Sequence, residues 1–432
     1  MPKGISGNFT SNQSGRMRAH MKYIVVLCDG MADEPLLELD GMTPMEAAKT
    51  PNMDRMAQIS EIGMVQTIPS GMAPGSDTAN LSVLGYDPQI YYTGRSPLEA
   101  LSIGVDMEPT DVSFRCNLVT LSEEEETYEE KRILDHSAGE ISTEDANILM
   151  EALMQGMRRA GYAFYTGTSY RHLLIHKFGS LAELTPPHDI LTKQIGAYLP
   201  KDPVLREMME TSYQILNEHP LNQERRKKGL NPANSVWFWG AGTRPALTSF
   251  EEIYQKKGAM ISAVDLLKGI AVGAGLRNIT VEGANGGLHT NYLGKAEAAV
   301  DALAAEDYDF VYVHIEAPDE MGHQGSAKDK IRAIEQIDQQ IIGTITGELD
   351  DLRMDFRMLI LPDHPTPVSV RTHTADPVPY LLYDSRKKVE GMPEYSERLG
   401  RKSPLFLEKG SQIMARLLEQ EIEGANDKAH SN

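Results

Sequence analysis

The chain has 432 residues, and its 62 acidic against 42 basic side chains give a formal charge of −20. This acidic excess argues against nucleic acid or an anionic membrane surface as the main partner, because both bind basic surfaces. With 41% hydrophobic and 24% charged residues, the composition is that of a globular protein, and the length suffices for two or three domains.

The first segment of the chain, residues 1–20, is rich in Ser, Gly and Asn and lacks the apolar core of a signal peptide. We expect it to be a disordered leader. The only cysteines are Cys28 and Cys116, far apart in sequence, so we expect no disulfide framework and a reducing, cytoplasmic location. No apolar run reaches the length of about 18 residues that indicates a membrane span. The pattern predicts no particular oligomeric state.

Three apolar runs predict strands that are buried on both faces of a parallel sheet. They begin at Lys22, Phe310 and Met358, and an acidic side chain follows the end of each run. Amphipathic helical patterns over residues 44–59 and 327–345 separate the runs. This alternation predicts an α/β fold with a doubly wound core. The predicted core comprises residues 21–105 and 249–425.

The intervening segment, residues 106–233, has a different pattern. It contains an acidic loop, Glu123–Glu126, a predicted strand pair over 163–178 and predicted helices over 143–159 and 202–218. Strands and helices without regular alternation are typical of an α+β fold. We therefore predict that this segment is an α+β domain inserted into the core.

Side chains able to bind metal ions follow the predicted strands, where open α/β sheets place their ligands. They are Asp29, Asp319, His323, Asp363, His364 and, nine residues further on, His373. Mixed carboxylate and imidazole ligation suits Mn²⁺ or Zn²⁺ better than Ca²⁺. Asp319 and His323 are four residues apart, so a helix opened by Pro318 presents both on one face. This set exceeds the needs of one ion and predicts two.

Ser76 is the candidate nucleophile, because Pro74-Gly75-Ser76 leads into a helical pattern. Its hydroxyl and a transferred phosphoryl group would face the free N–H groups of a helix N-terminus. A pair of divalent cations is the usual clamp for in-line phosphoryl transfer, and a cation can activate a hydroxyl without a histidine partner. Taken alone, such a serine is more often a helix cap, and a strand-end aspartate such as Asp29 a turn residue. Their joint occurrence favours a catalytic site.

Several motifs carry a resemblance to a known family: Leu27–Asp33, Lys49–Asp54, Pro74–Asn80, Gly94–Arg95 with Glu99–Ala100, Pro318–Asp319 with Gly322–His323, Asp363–His364 and His373–Pro379. In these motifs, from Met21 to about residue 420, the chain resembles the cofactor-independent phosphoglycerate mutases of the archaeal type. These enzymes belong to the alkaline phosphatase superfamily, so the resemblance implies an alkaline-phosphatase-like core with an inserted lid domain.

The resemblance also implies a mechanism. One metal ion would be held by Asp29, Ser76, Asp363 and His364, and the other by Asp319, His323 and His373. Ser76 would take phosphate from the substrate and return it to the neighbouring hydroxyl, so that 3-phosphoglycerate and 2-phosphoglycerate interconvert in glycolysis and gluconeogenesis. No 2,3-bisphosphoglycerate would be required. Mn²⁺ is the favoured ion, with Mg²⁺ and Zn²⁺ as alternatives.

Cationic residues of the predicted lid are candidates for holding the substrate. They are Arg115, Arg171 and His172, with Arg244 in the segment that rejoins the core. A surface or interdomain salt bridge is at least as good an explanation for each of them.

One lid motif departs from the pattern of the archaeal relatives, which is Asp-Arg-Arg-Ala-Gly-Arg-Ile. Here Asp135 is followed by His136, Ser137 and, further on, Glu140 in place of the arginines. The change disfavours a strongly anionic substrate, and Glu140 would suit a substrate ammonium group, so Asp135 and Glu140 join the candidate substrate-binding residues. The mutase is the first hypothesis. A homoserine kinase-like phosphotransferase of threonine biosynthesis is the alternative, and a metal-dependent phosphatase or non-catalytic relative is a third.

Overall fold

The computed structural model describes residues 20–420, so the predicted leader, apart from His20, and the last predicted core residues lie outside the described residues. The strands are β1 (Lys22–Cys28), β2 (Glu61–Val65), β3 (Val112–Leu121), β4 (Ile133–Asp135), β5 (Tyr162–Tyr165), β6 (Arg171–His176), β7 (Ser235–Thr243), β8 (Gly258–Ile261), β9 (Arg277–Ile279), β10 (Phe310–Ile315), β11 (Phe356–Leu361), β12 (Val378–Asp384) and β13 (Phe406–Leu407).

The α-helices are α1 (Pro44–Ala47), α2 (Pro51–Ala57), α3 (Ser76–Val83), α4 (Pro88–Tyr91), α5 (Arg95–Ser102), α6 (Thr143–Gly156), α7 (Pro203–Asn217), α8 (Pro220–Lys227), α9 (Phe250–Tyr254), α10 (Asp265–Gly273), α11 (Tyr292–Ala304), α12 (Ala317–Gln324), α13 (Ala327–Gln336), α14 (Gly343–Asp351), α15 (Glu397–Lys402) and α16 (Gln412–Leu417). A π-helical segment, Ile337–Ile342, joins α13 to α14.

The core is a sheet in the order β13-β2-β12-β11-β1-β10-β8-β9. The strands β11, β1, β10, β8 and β9 run parallel, whereas β12 is antiparallel to both β11 and β2. The three strands predicted from the sequence are therefore neighbours, and their carboxyl ends lie at one edge of the sheet. Tyr23, Val25 and Leu27 pack on one face, while Ile24 and Val26 pack on the other. Helices cover both faces, which confirms the predicted α/β fold class.

A second sheet carries the inserted segment. Its order is β4-β3-β6-β5. Strand β7 also pairs with β3, on the edge opposite to β6. Helices α6 and α7 pack on this sheet and share its apolar core. Strand β7, Ser235–Thr243, follows residue 233, the predicted end of the insert, so the second sheet extends to residue 243.

The predicted helix over residues 44–59 is divided into α1 and α2. Pro51 causes the division, because proline has no N–H to donate and disfavours helical backbone at the preceding residue. The predicted helix over 327–345 is present and continues to Asp351. Its π-helical segment carries Asp338, whose carboxylate accepts the Met53 N–H at 2.7 Å and thereby caps α2.

A buried ion pair lies directly beneath the sheet edge. Lys330 Nζ donates to Asp33 Oδ2 at 2.7 Å, and both side chains are fully buried. The same ammonium group donates to the carbonyl oxygens of Ala32 at 3.2 Å and Thr366 at 2.9 Å. These two carbonyls belong to the loops after β1 and β11, so Lys330 fixes the two loops relative to each other.

Glu397 extends this network and gives stability a predicted dependence on pH. It accepts hydrogen bonds from the Asp33 N–H at 3.0 Å and from Thr43 Oγ1 at 2.8 Å. Burial raises the pKa of Glu397 to about 7, above the value of about 4.3 for an unfolded chain. Because the folded state holds the proton more tightly, this contribution to stability is present at low pH and is lost as pH rises from about 4 to 7.

The variant Glu397→Gln isolates this effect, because the amide can accept from the Asp33 N–H and donate to Thr43 Oγ1 but does not titrate. Between pH 5 and pH 8, we expect wild-type protein to lose on the order of 2–3 kcal/mol more unfolding free energy than the variant does. Denaturant unfolding at a series of pH values measures the difference. Parallel stability curves for the two proteins would contradict the prediction.

Candidate active site

Ser76 is the first residue of α3, and Gly75 occupies the cap position without a side-chain hydrogen bond. The serine is therefore inside the helix rather than its cap. Its Oγ lies 3.2 Å from His364 Nε2 and 3.5 Å from Asp29 Oδ2. The helix N-terminus thus presents the predicted nucleophile to the loops that follow β1 and β11.

Asp29, Asp363 and His364 form one cluster, in which one ligand atom from each residue lies within 4.8 Å of the others. All three side chains are almost completely buried. Asp363 Oδ1 accepts the Gly30 N–H at 3.1 Å, and Asp363 Oδ2 accepts from Asn80 Nδ2 at 3.0 Å. These bonds hold the Asp363 carboxylate in a fixed orientation.

Asp319, His323 and His373 form a second cluster. Helix α12 presents Asp319 and His323 on one face, and Asp319 Oδ2 lies 3.2 Å from His323 Nε2. The Nε2 atoms of His323 and His373 are 3.0 Å apart. The imidazole rings of His364 and His373 have centroids 4.0 Å apart, so the two clusters adjoin.

The donor atoms of both clusters fit cations. His323 Nδ1 lies 3.0 Å from the carbonyl oxygen of Arg371, which can only accept, so Nδ1 carries a proton and Nε2, next to Asp319 and His373, is the nitrogen that would bind a cation. In the other cluster, Asp29 Oδ1 is buried and has no hydrogen-bond partner. Burial and the nearby carboxylates of Asp363 and Asp319 raise the pKa of Asp29 well above its usual value. Divalent cations would satisfy these atoms and remove the repulsion.

The two clusters are supported by further residues, which were not predicted from the sequence. Thr366 Oγ1 donates to Asp319 Oδ1. Asn80 follows Ser76 by one helical turn, which is a spacing that could have identified it. Gly30 has φ +61°, and a Cβ there would lie 2.5 Å from Asp319 Oδ1, so the close approach of the loop after β1 to α12 requires glycine. His314 contacts Asp29 and had no sequence signal apart from its place at the end of β10.

A cleft lies between the core and the second sheet. Arg95 and Glu99 of α5, Arg171 and His172 of β6, and Asp265 at the start of α10 are among the residues that line it. Burial lowers the pKa of His172 to about 4, so this imidazole is neutral near pH 7.

Arg171 is exposed at the start of β6. Glu316, three residues before Asp319, lies near this arginine. Burial and the Asp319 charge raise the pKa of Glu316 to about 7, while Arg171 is near enough to oppose that shift.

Arg115 does not line the cleft, although it contacts Glu99, which does. Its guanidinium lies 2.9 Å from Glu99 Oε2 and stacks 4.2 Å from the centroid of Trp239. His188 packs edge-on against both Trp239 and His136, at 5.3 Å and 6.1 Å between centroids. Trp239, His188 and His136 were not predicted as site residues. They are far apart in the sequence, so no local pattern indicates that their rings pack together.

Three further predicted substrate-binding residues are not brought into this cleft either. Arg244 donates to the Met107 carbonyl oxygen at 2.9 Å and lines a different cavity, at the other end of α10. The Asp135 carboxylate accepts hydrogen bonds within its own loop, from the N–H groups of Ser137 and Gly139, both at 2.8 Å. Glu140 is exposed at the end of this loop, and its backbone has φ +50°. The electrostatic argument for a substrate ammonium group therefore has no geometric support.

A serine hydroxyl at a helix N-terminus, beside two adjoining carboxylate–imidazole clusters at the edge of an α/β sheet, defines a metal-dependent phosphoryl-transfer enzyme. The sequence comparisons specify the family. The chain belongs to the 2,3-bisphosphoglycerate-independent phosphoglycerate mutases, as the resemblance predicted. It is 48% identical over 405 residues to the enzyme of that name from Methanosarcina barkeri, covering 92% of this chain and 100% of the relative.

Other comparisons agree with this family. A probable mutase of the same name from Geobacter sulfurreducens is 46% identical, over 93% of this chain and 100% of the relative. The family model for these mutases matches residues 57–222. A solved structure from Pyrococcus horikoshii has a TM-score of 0.77 and 32% identity, and it covers 94% of this chain and 99% of its own. The cofactor-independent phosphoglycerate mutase from Thermoplasma acidophilum has a TM-score of 0.62 and 27% identity, with 92% and 99% coverage.

These relatives favour the first of the hypotheses, and nothing in them supports the homoserine kinase alternative. Within residues 20–420, no helix is long and apolar enough to cross a membrane.

Proposed function

We propose that this protein interconverts 3-phosphoglycerate and 2-phosphoglycerate through a phosphoserine at Ser76, with two divalent cations and without 2,3-bisphosphoglycerate. Mn²⁺ is the favoured cation, and Mg²⁺ or Zn²⁺ are alternatives. The proposal includes a role in glycolysis and gluconeogenesis in the cytoplasm. Its support is the name shared by relatives at 48% and 46% identity, together with the geometry around Ser76.

The observation that carries the proposal is the position of the Ser76 hydroxyl. It lies at the N-terminus of α3 and within 3.5 Å of ligand atoms from both Asp29 and His364. The N–H groups of the first helical turn point towards a phosphoryl group on this oxygen, and the helix dipole stabilises its negative charge. A serine with a purely structural role would not require this concentration of buried carboxylates and imidazoles.

In the proposed reaction, Ser76 Oγ forms a bond to phosphorus as the bond to the donor oxygen of the substrate breaks. The glycerate then reorients, and its other hydroxyl takes the phosphoryl group back from Ser76. Asp29, Ser76, Asp363 and His364 would hold one cation, and Asp319, His323 and His373 the other. These cations would lower the pKa of the serine hydroxyl and neutralise the charge on the phosphoryl oxygens.

We propose that the inserted domain, from residue 106 to the end of β7, binds the remainder of the substrate. Arg171 and Arg95 provide positive charge in the cleft. Glu99 pairs with Arg95 at 3.3 Å and with Arg115 at 2.9 Å, whereas Arg171 has no carboxylate partner among the described residues. A net protein charge of −20 is compatible with an anionic substrate, because arginines and cations determine the local field.

Phosphorus NMR tests this function directly. Purified protein with Mn²⁺ receives 3-phosphoglycerate in one sample, and homoserine with ATP in another. We expect 2-phosphoglycerate to form in the first sample, without added 2,3-bisphosphoglycerate, and no phosphohomoserine to form in the second. Formation of phosphohomoserine without phosphoglycerate interconversion would overturn the proposal.

The variant Arg171→Ala tests substrate binding in the cleft. We expect it to raise KM by roughly 10- to 100-fold, the amount that corresponds to one charge-assisted hydrogen bond. The matched control is Arg159→Ala, which removes the same charge from the insert but lies outside the cleft and pairs with Glu207. Steady-state kinetics should give a near wild-type KM for the control. Equal KM values for both variants would exclude Arg171 as a substrate contact.

A further inference from the structure

A buried histidine outside the predicted ligand set contacts one of the proposed metal ligands. His314 of β10 is fully buried, and its Nε2 lies 2.9 Å from Asp29 Oδ2. Its Nδ1 lies 3.1 Å from Ser262 Oγ, and the Val264 N–H donates to the same serine oxygen at 3.1 Å. Ser262 follows β8, so these contacts run across the carboxyl ends of three neighbouring strands, β8, β10 and β1.

The hydrogen-bonding capacity of these groups assigns the protons. The Asp29 carboxylate, which is ionised when it binds a cation, can only accept, so His314 Nε2 carries a proton and donates to it. Ser262 Oγ accepts from Val264, which leaves its own hydroxyl proton to donate to the lone pair on His314 Nδ1. Each ring nitrogen of His314 then has a partner, and the imidazole is the neutral Nε2–H tautomer.

The two oxygens of Asp29 therefore have different environments. Oδ2 receives the hydrogen bond from His314, whereas Oδ1 is buried without any hydrogen-bond partner. Oδ1 lies 3.6 Å from His364 Nε2, beyond hydrogen-bond distance but suitable for two ligands of one cation. The hydrogen bond from His314 thus fixes the rotation of the carboxylate that directs Oδ1 towards His364.

The backbone of His314 is fixed as well. Lys295 of α11 is almost completely buried, and its Nζ donates to the His314 carbonyl oxygen at 3.0 Å. This hydrogen bond from the α11 ammonium group restrains the backbone at the end of β10. The hydrogen bond with Ser262, which follows β8, restrains the imidazole ring. Neither restraint is needed for a histidine that only fills space in a core.

We propose that His314 is a positioning residue: with Ser262 behind it, its Nε2–H orients Asp29 so that Oδ1 binds the cation shared with Asp363, His364 and Ser76. The proposal rests on the divalent cations of the proposed function. It assigns His314 no contact with the substrate. Outer hydrogen bonds of this kind commonly determine the geometry and affinity of a metal site.

Two substitutions of His314 separate hydrogen bonding from packing. His314→Gln can keep an N–H donor near the position of Nε2, whereas His314→Leu fills similar space without a donor. Calorimetric titration of metal-free protein with Mn²⁺, in the absence of substrate, gives the affinity and stoichiometry of binding. We expect His314→Leu to weaken one of the two Mn²⁺ sites by roughly 10- to 100-fold and His314→Gln to stay much closer to wild type.

The thermal unfolding temperatures of the metal-free proteins complete the test. Similar values for the Gln and Leu variants, together with different Mn²⁺ affinities, are expected for a positioning role. Equal Mn²⁺ affinities in His314→Leu and wild-type protein, or an equal loss in His314→Gln and His314→Leu, would overturn the proposal.

Ser262→Ala provides a milder, independent variant should His314→Leu fail to fold. We expect the same Mn²⁺ site to be weakened, by less than in His314→Leu, and unchanged affinity in a folded Ser262→Ala protein would overturn the proposal. Mn²⁺ binding measured without substrate also separates the role of His314 from the proposed catalytic activity. Wild-type protein that binds two Mn²⁺ ions but does not interconvert phosphoglycerates would refute the proposed function and leave the role of His314 intact.

Discussion

Replacing Ser76 with alanine is expected to reduce phosphoglycerate interconversion by roughly 10⁴-fold or more, because the variant has no oxygen to accept the phosphoryl group. The cation clusters lose one neutral ligand and keep every carboxylate and imidazole, so most of the Mn²⁺ affinity should persist. Steady-state kinetics and Mn²⁺ titration on the same preparation measure both quantities.

Ser82→Ala is the matched control for this variant. Ser82 lies on the same helix, is buried, and has an Oγ without a hydrogen-bond partner. Its loss should leave turnover near the wild-type value. Wild-type protein quenched during turnover should contain phosphate on Ser76, detectable by mass spectrometry. Substantial turnover by Ser76→Ala would refute a covalent intermediate at this residue.

Removal of divalent cations is expected to abolish activity and to lower the thermal unfolding temperature. Without them, the carboxylates of Asp29, Asp363 and Asp319 are buried close together, and the raised pKa of Asp29 reflects that burial and repulsion. Mutually repelling buried carboxylates destabilise the folded state. Prolonged chelation followed by differential scanning calorimetry and a turnover assay measures both effects.

Adding cations back to the metal-free protein tests the reversibility of this loss. Mn²⁺ should restore both activity and unfolding temperature, and parallel additions of Mg²⁺ and Zn²⁺ rank the alternatives. In the Ser76→Ala variant, Mn²⁺ should restore the unfolding temperature but not the activity. This result would separate cation binding from catalysis. Turnover by protein shown to be metal-free by elemental analysis would contradict the two-cation proposal.

The sequence was most informative where a signal was local. A strand buried on both faces has a continuous apolar run, and in a parallel sheet its carboxyl end is also where ligands gather. Asp29, Asp319 and Asp363 are thus predicted together from the sequence alone. The i, i+4 spacing of Asp319 and His323 and the glycine turn before Ser76 are local signals of the same kind. The structure brings these residues to one edge of the sheet.

Features that depend on long-range pairing were not accessible in this way. Nothing in the sequence of β7 indicates that it pairs with β3 rather than with the core, so the predicted insert ended before it. The position of Arg244 follows from the same topology, since it comes directly after β7 and lies near Met107. For Glu140, the charge was visible in the sequence, but the exposure that separates it from the cleft was not. His314 lacked a signal because its partner Asp29 is distant in the chain.

The placement of β1 between β10 and β11 has a consequence for biosynthesis. Its residues pair with partners near positions 310–315 and 356–361, so both edges of this apolar strand stay unpaired until most of the chain has left the ribosome. The inserted sheet, whose strands lie between residues 112 and 243, can complete its own pairing much earlier. Unpaired apolar edges are prone to intermolecular association. Nascent chains ending between the insert and β10 should therefore be the species that depend most on chaperones.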